Sequence, residues 1–247
     1  MIAVPLIYRS VYFGIFCIFG AVSKKSRTSR TTVKESALLK VGQGAKPVAT
    51  HSKKAERTKE FIRTKAAPLF NKKGFDGTSL GDLTAATGLT KGALYGNFKN
   101  KEGIALAAFG YSMQHVRTVM KARLDPMPSN KQKLLELLNF FAEYVMRPPV
   151  PGGCPMLNYG VEADDNHRFM RKMVAKEMAK TIAFIRTCLQ RGIKAGEFKS
   201  STEADGLAQM FFCSIEGAIL VSRVTGTSAH MQAVVTHCRS VLDEISG

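Results

Sequence analysis

Acidic side chains are scarce in this chain: 19 Asp and Glu face 36 Lys and Arg, a formal net charge of +17 over 247 residues. The shortage is uneven. Residues 1–50 hold 8 basic and 1 acidic side chain, residues 51–105 hold 11 and 5, and residues 106–247 hold 17 and 13. Such a bias points the N-terminal part towards an anionic partner, nucleic acid or a lipid surface, although a solvated basic tail is the plainer reading of residues 1–50 alone. Also missing is any C-x-x-C pair. The five cysteines (Cys17, Cys154, Cys188, Cys213 and Cys238) are odd in number and far apart. That argues against a disulfide framework or a structural zinc and suits a reducing compartment, the cytoplasm. The histidines show no ligand spacing, so neither a metal nor a cofactor is expected. Nucleophile elbow, phosphate-cradling glycine loop and a convincing acid–base pair are all lacking, which argues against an enzyme. Strand alternation and hairpin turns are lacking too. What is left is helical periodicity, and the chain reads as all-α.

Apolar runs are short. Residues 11–22 are apolar throughout, whereas a membrane span needs about 20 residues. Extending the run back to residue 2 takes in Arg9 and Pro5, and Lys24, Lys25 and Arg27 follow it. No clean small-x-small cleavage site precedes that basic cluster. Three readings stay open: a poor signal anchor, a membrane-touching segment, and translated sequence upstream of the functional start, which is favoured. Residues 23–52, rich in Ser, Thr, Lys and Gly, read as a disordered basic tether. Residues 1–52 are therefore expected to be an extension, and a membrane partner is not expected.

From Lys53 the period becomes helical. Phe61/Ile62, Ala66 and Leu69/Phe70 recur every four residues and make one apolar face. Gly74 is placed to end this helix, and Pro68 inside it predicts a kink. Further on, Asn100 is a plausible N-cap for a long helix reaching Asp125-Pro126. Residues 130–147, 155–163, 166–192, 203–224 and 228–245 read as further helices. Leu134, Leu135, Leu137, Leu138, Phe141 and Val145 form the apolar face of the first of these.

Between these parts lies "TSLGDLTAATGLTKGALYGNF", residues 78–98. Thr78 or Ser79 can cap a helix, and Asp82 stands three residues after Ser79, as a capping box prefers. Gly88 can take the left-handed conformation that ends a helix sharply. Thr90 then caps a second helix, Lys91 to about Phe98, with Leu94 turned inward. Two short helices about a glycine-led turn describe a helix-turn-helix, whose second helix enters the major groove. Thr90, Lys91, Gly92, Ala93, Tyr95 and Asn97 are its outward residues. Gly92 and Ala93 permit close approach to bases, while Lys91, Thr78, Tyr95 and Lys101, with the helix-start amides near Ser79, can reach phosphates. A helical hairpin with no DNA role has the same spacing.

The stretch "GFDGTSLGDLTAATGLTKGALYGNFKNKEGI" closely resembles the signature of the TetR/AcrR family of bacterial regulators. Gly74, Phe75, Thr78, Leu83, Gly88, Leu89, Leu94, Tyr95, Asn97, Phe98 and Lys101 match it in register over about residues 53–110. Thr84 and Thr87 depart from it, standing where alanine is usual, and their hydroxyls can bond back to a carbonyl one turn earlier. The resemblance implies an N-terminal three-helix DNA-binding domain, residues 53–110, and a larger helical ligand-binding and dimerisation domain, residues 111–247. It implies a repressor that binds double-stranded DNA as a homodimer on a palindromic operator and is released by a small-molecule effector. A membrane-associated adaptor anchored by residues 1–30 is the alternative.

In the C-terminal half, Leu207, Met210, Phe211, Ser214, Gly217, Ala218 and Val221 line one face of a helix, and Val234, Val235, Cys238, Val241 and Leu242 line the next. Either stripe could be internal core; the resemblance favours a dimer interface. Phe109, Met113, Phe141, Tyr144, Cys154, Tyr159 and Met173 are candidates for the effector pocket, with Phe140, Met156, Phe169 and Phe184 beside them, and each serves equally as core. Cys154, before Pro155 at a helix start, is a candidate thiol sensor or a small buried hydrophobe. Glu162, Asp164, Asp165 and His167 read as a helix end and an N-cap rather than a metal site.

Overall fold

In the computed structural model, residues 49–247 are described, and they form nine α-helices. A single antiparallel bridge, Phe198 to Ser246, is the only extended pairing among them. The helices are α1 (Ala49–Lys73), α2 (Leu80–Thr87), α3 (Lys91–Asn97), α4 (Lys101–Leu124), α5 (Asn130–Tyr144), α6 (Pro155–Asp165), α7 (Arg168–Lys194), α8 (Ala204–Thr225) and α9 (Ala229–Glu244). The apolar run at residues 11–22 and all of the expected tether, residues 23–52, except its last four residues lie outside the described residues; residues 49–52 belong to the first turn of α1, not to a disordered tether.

Helix α1 begins at Ala49, four residues earlier than the periodicity predicts, and is one continuous helix through Pro68. Its face Ile62, Ala66, Ala67 and Phe70 is buried and packs mainly on α4, with α2 and α3 against its other contacts. Leu83 from α2, Leu94 from α3 and Ile104 from α4 close this small core, each fully buried. The C-terminal helices form the larger core: α5, α6 and α8 pack on α7, and α9 on α5 and α8. Leu134, Leu137, Leu138, Phe141 and Val145 are buried as the apolar face of α5 requires.

The two expected dimer stripes are partly internal. Phe211 and Ala218 on α8, and Val235, Cys238 and Leu242 on α9, are buried within the protomer; Leu207, Met210, Ser214, Val234 and Val241 are half-buried. The reason is that α8 packs on both α7 and α9. Gly217 and Val221 of the expected stripe stay exposed, and Leu220 and Val224 join them on the open side of α8. By length and hydropathy α8 could cross a bilayer, but Phe211, Ile215 and Ile219 are buried in the protein core.

Candidate nucleic-acid interface

The segment between α1 and α4 is built from local capping. Ser79 Oγ accepts from Asp82 N–H at 3.0 Å, and Asp82 Oδ2 accepts from Ser79 N–H at 2.8 Å, a reciprocal box at the start of α2. Lys73 Nζ sits 2.6 Å from Asp82 Oδ1. With the Ser79 donors, that cation holds the Asp82 carboxyl well below the usual carboxylate range. Gly88 ends α2 at φ 67°, its N–H donating to Thr84 O. Thr90 then caps α3 by accepting from Ala93 N–H at 3.2 Å. The two extra hydroxyls of α2 bond backwards, Thr87 to Leu83 O four residues earlier at 2.7 Å, as expected, and Thr84 to Gly81 O three residues earlier at 2.9 Å.

Helix α3 is held by Leu94 on its inner side, while Thr90, Lys91, Gly92 and Tyr95 are exposed on the other and Ala93 is half-buried. It is a slim rod with small residues at its N-terminal end, open along the side that faces away from its own chain. Two of the expected contacts are corrected. Thr78 is fully buried, and its hydroxyl donates to Gly74 O at 2.6 Å, so its side chain cannot reach a phosphate. The Asn97 amide is turned back to Ala93 O at 2.9 Å, closing the helix rather than pointing outward. Ser79 stays exposed as a cap. The Lys101 ammonium lies 4.4 Å from the centre of the Phe75 ring, a cation–π contact that holds it over the turn between α1 and α2.

That turn is gripped from the C-terminal half, and nothing in the sequence reading foresaw it. Glu162 on α6 accepts from Phe75 N–H at 2.6 Å and Asp76 N–H at 3.3 Å. A Cβ at Gly74 would collide with that carboxylate, so glycine both takes φ 74° and makes room. One turn earlier on α6, Asn158 donates to Asn71 O at 2.8 Å and Gly152 O at 3.0 Å. Asn71 in turn donates to Gly153 O at 2.9 Å. His167 Nε2 stands 3.0 Å from Asp76 Oδ2, and Phe169 meets the Phe75 ring edge-on at 5.1 Å. His167, not Asn166 or Asp165, occupies the N-cap of α7, without a side-chain cap bond. A polar residue four after another on a short helix, Asn158 and Glu162, is the only sequence signal of this clamp.

The candidate pocket residues divide. Met113, Phe141, Tyr144, Cys154 and Met156 wall an interior cavity of about 20 Å³, room for about one water. Phe109 and Tyr159 pair with each other, rings 4.9 Å apart, and do not line it. Met173 and Phe184 are half-buried elsewhere, Phe140 packs on Phe141 and Tyr144, and Phe169 belongs to the clamp. Burial and the neighbouring Glu216 push the Cys154 thiol well above its ordinary value. That holds it as a protonated thiol, contrary to the requirement of a reactive sensor. Two open surface grooves flank α6, about 600 Å³ against α7 and about 530 Å³ against α1 and α8.

Two family models match the chain: "Bacterial regulatory proteins, tetR family" over residues 62–108, and "Tetracyclin repressor-like, C-terminal domain" over residues 131–238. A TetR-family transcriptional regulator from Cytophaga hutchinsonii is 39% identical in its solved structure, with TM-score 0.74 over 78% of this chain and 96% of that one. A TetR regulator from Chloroflexus aurantiacus is 35% identical, with TM-score 0.75 over 78% and 98%. The repressor DhaR of a Mycobacterium species is 25% identical over 67% of this chain and 82% of its own. The membrane-adaptor alternative gains nothing from these likenesses, and its anchor at residues 1–30 lies outside the described residues.

Proposed function

The chain belongs to the tetR family of bacterial regulatory proteins and is a DNA-binding transcriptional regulator, and from that premise we propose that it represses transcription as a homodimer released by a small effector. The observation that carries the reading is α3: Leu94 fully buried behind it, and Thr90, Lys91, Gly92 and Tyr95 open in front. Two copies place their α3 helices in successive major grooves, about 34–36 Å apart, which calls for a palindromic operator. A named repressor among the relatives supports the sign of the regulation. On α8, Leu220, Val221 and Val224 are 46%, 42% and 78% exposed, an apolar strip suited to pairing with a second copy. The effector occupies the cavity of the C-terminal helices, binds the two conformations unequally, and so shifts their populations. The site of action is the cytoplasm.

Selecting bound sites from random duplexes tests this. A palindrome with half-sites one helical turn apart is expected; a purified protein that prefers no duplex over random competitor at low ionic strength overturns the reading. Lys101→Ala should weaken all duplexes alike and lower the salt slope by about one, whereas replacing Lys91 or Ala93 should change which bases are preferred. Val224→Asp should leave monomers in sedimentation.

A further inference from the structure

The Phe75 side chain stands half-buried in the turn between α1 and α2 and is held by several parts of the molecule at once. From the C-terminal half, Glu162 Oε2 accepts from Phe75 N–H at 2.6 Å. The His167 and Phe169 rings meet the Phe75 ring edge-on at 4.7 and 5.1 Å. Phe70, in the last turn of α1, stacks on it at 6.2 Å with the planes 12° apart. From α4 comes Lys101, the first residue of that helix, with its ammonium 4.4 Å from the ring centre. One ring thus touches a lysine of the DNA-binding unit and the two helices that belong to the other half.

The face of a phenyl ring is negative, and an ammonium held over it keeps its own charge. Among the described residues no carboxylate pairs with Lys101, so that charge is left for an anion from outside. An ammonium has three donors, and a ring on one side leaves the other side open. A lysine on its flexible four-carbon stem gives up much rotamer freedom when it settles on a phosphate. One already held over a ring gives up less, so binding costs less. We propose, taking Lys101 as the phosphate contact read above, that Phe75 is a positioning residue for DNA binding: its ring presets the Lys101 ammonium, and α6 and α7, by holding the ring, set how well that ammonium meets the duplex. A shift of α6 or of the start of α7 then reaches the DNA contact through one aromatic side chain, with α3 unchanged.

The test titrates the full chain with the duplex recovered by the selection above, read by fluorescence anisotropy. Pentafluorophenylalanine placed at residue 75 keeps the size of the ring and inverts the charge of its face, and should weaken binding about two- to fivefold. Phe75→Tyr keeps the face and should bind as the parent chain does. In a Lys101→Ala background the fluorinated ring should cause no further loss, the non-additivity of two groups that act together. Phe169→Leu removes the edge contact from α7 and should weaken binding about twofold, again only while Lys101 is present. Circular dichroism checks that each variant folds. A fluorination loss equal in both backgrounds, no loss at all, or a tyrosine variant as weak as the fluorinated one overturns the proposal. A Phe169→Leu loss that is absent, or that persists without Lys101, overturns the hold from α7. If Lys101→Ala itself leaves affinity and salt slope untouched, the phosphate reading of Lys101 has failed, and the proposal falls with it for that separate reason.

Discussion

Around α2 and α3 the buried threonines Thr78 and Thr87 give their hydroxyl protons to backbone carbonyls at 2.6 and 2.7 Å, whereas inside the C-terminal helices Ser112 and Tyr159 have no acceptor for theirs. The first region is set largely by local features: caps, a left-handed glycine and two inward leucines, Leu83 and Leu94. The second is filled by methionines and aromatic rings around a small space. A reader of DNA gains from a single fixed shape, since phosphate contacts set its register. A sensor gains from a shape that a guest can complete. Between them stands α6, whose N-terminal end (Pro155, Met156) walls the cavity and whose Asn158 and Glu162 hold the turn before α2.

The largest expected effect would break the fixed side of this contrast. Helix α3 has seven residues and a single buried side chain. Leu94→Ala should cost about 2–5 kcal/mol, the range for emptying a packed leucine site, and duplex binding should fall with it. Denaturant titration alongside DNA titration measures both. An α3 still protected from hydrogen exchange in the variant would show that caps alone hold it.

The adaptable side is probed through Glu216, around which stand Cys154, Tyr144 and, beyond, Arg223. Its pKa is raised in the folded chain, from 4.5 to about 7. Stability from its proton is therefore complete below about pH 4.5 and is lost as pH rises through 7, about 3 kcal/mol in all. Glu216→Gln, neutral at every pH, should remove that loss and be the more stable protein at pH 8. Unfolding curves at pH 5.5 and 8.5 decide it; an equal slope in both proteins would show that Glu216 is not the group responsible.

Third in size is the link. Glu162→Ala leaves the Phe75 and Asp76 amides without their acceptor, an expected loss of about 1–3 kcal/mol, with operator binding less responsive to any cavity ligand. Unchanged stability and unchanged response would place the coupling elsewhere, in α4.

What could be read before the structure follows the same division. The Ser79–Asp82 box, Gly88 and Thr90 are legible because a cap needs only neighbours within four residues. Thr78 was misplaced as a phosphate contact because its burial depends on a carbonyl of the preceding turn, Gly74 O. The α8 stripe leaves core and interface undivided because periodicity marks an apolar face without saying what covers it; Phe211 and Ala218 are buried in the protomer, whereas Gly217 and Val221 are exposed. Glu216 carried a signal that went unused, one carboxylate within "MFFCSIEGAILV". A lone charge in an apolar helix is either at an edge or at work. Glu162 had no such flag, since a surface glutamate and a clamp look alike until the turn it grips is in place.

The smallest effect separates the turn from the link. Gly88 and Gly74 both take positive φ, 67° and 74°. An added Cβ at Gly88 meets nothing within 4 Å, so Gly88→Ala should cost only the left-handed conformation, about 1 kcal/mol. At Gly74 the same atom strikes the Glu162 carboxylate, so Gly74→Ala should cost more, and the excess should vanish when Glu162→Ala is made alongside it. A double-mutant cycle by thermal unfolding reads that excess directly. Equal costs at the two glycines would mean that α6 merely rests beside the turn, and the two halves of the molecule would have to communicate by another route.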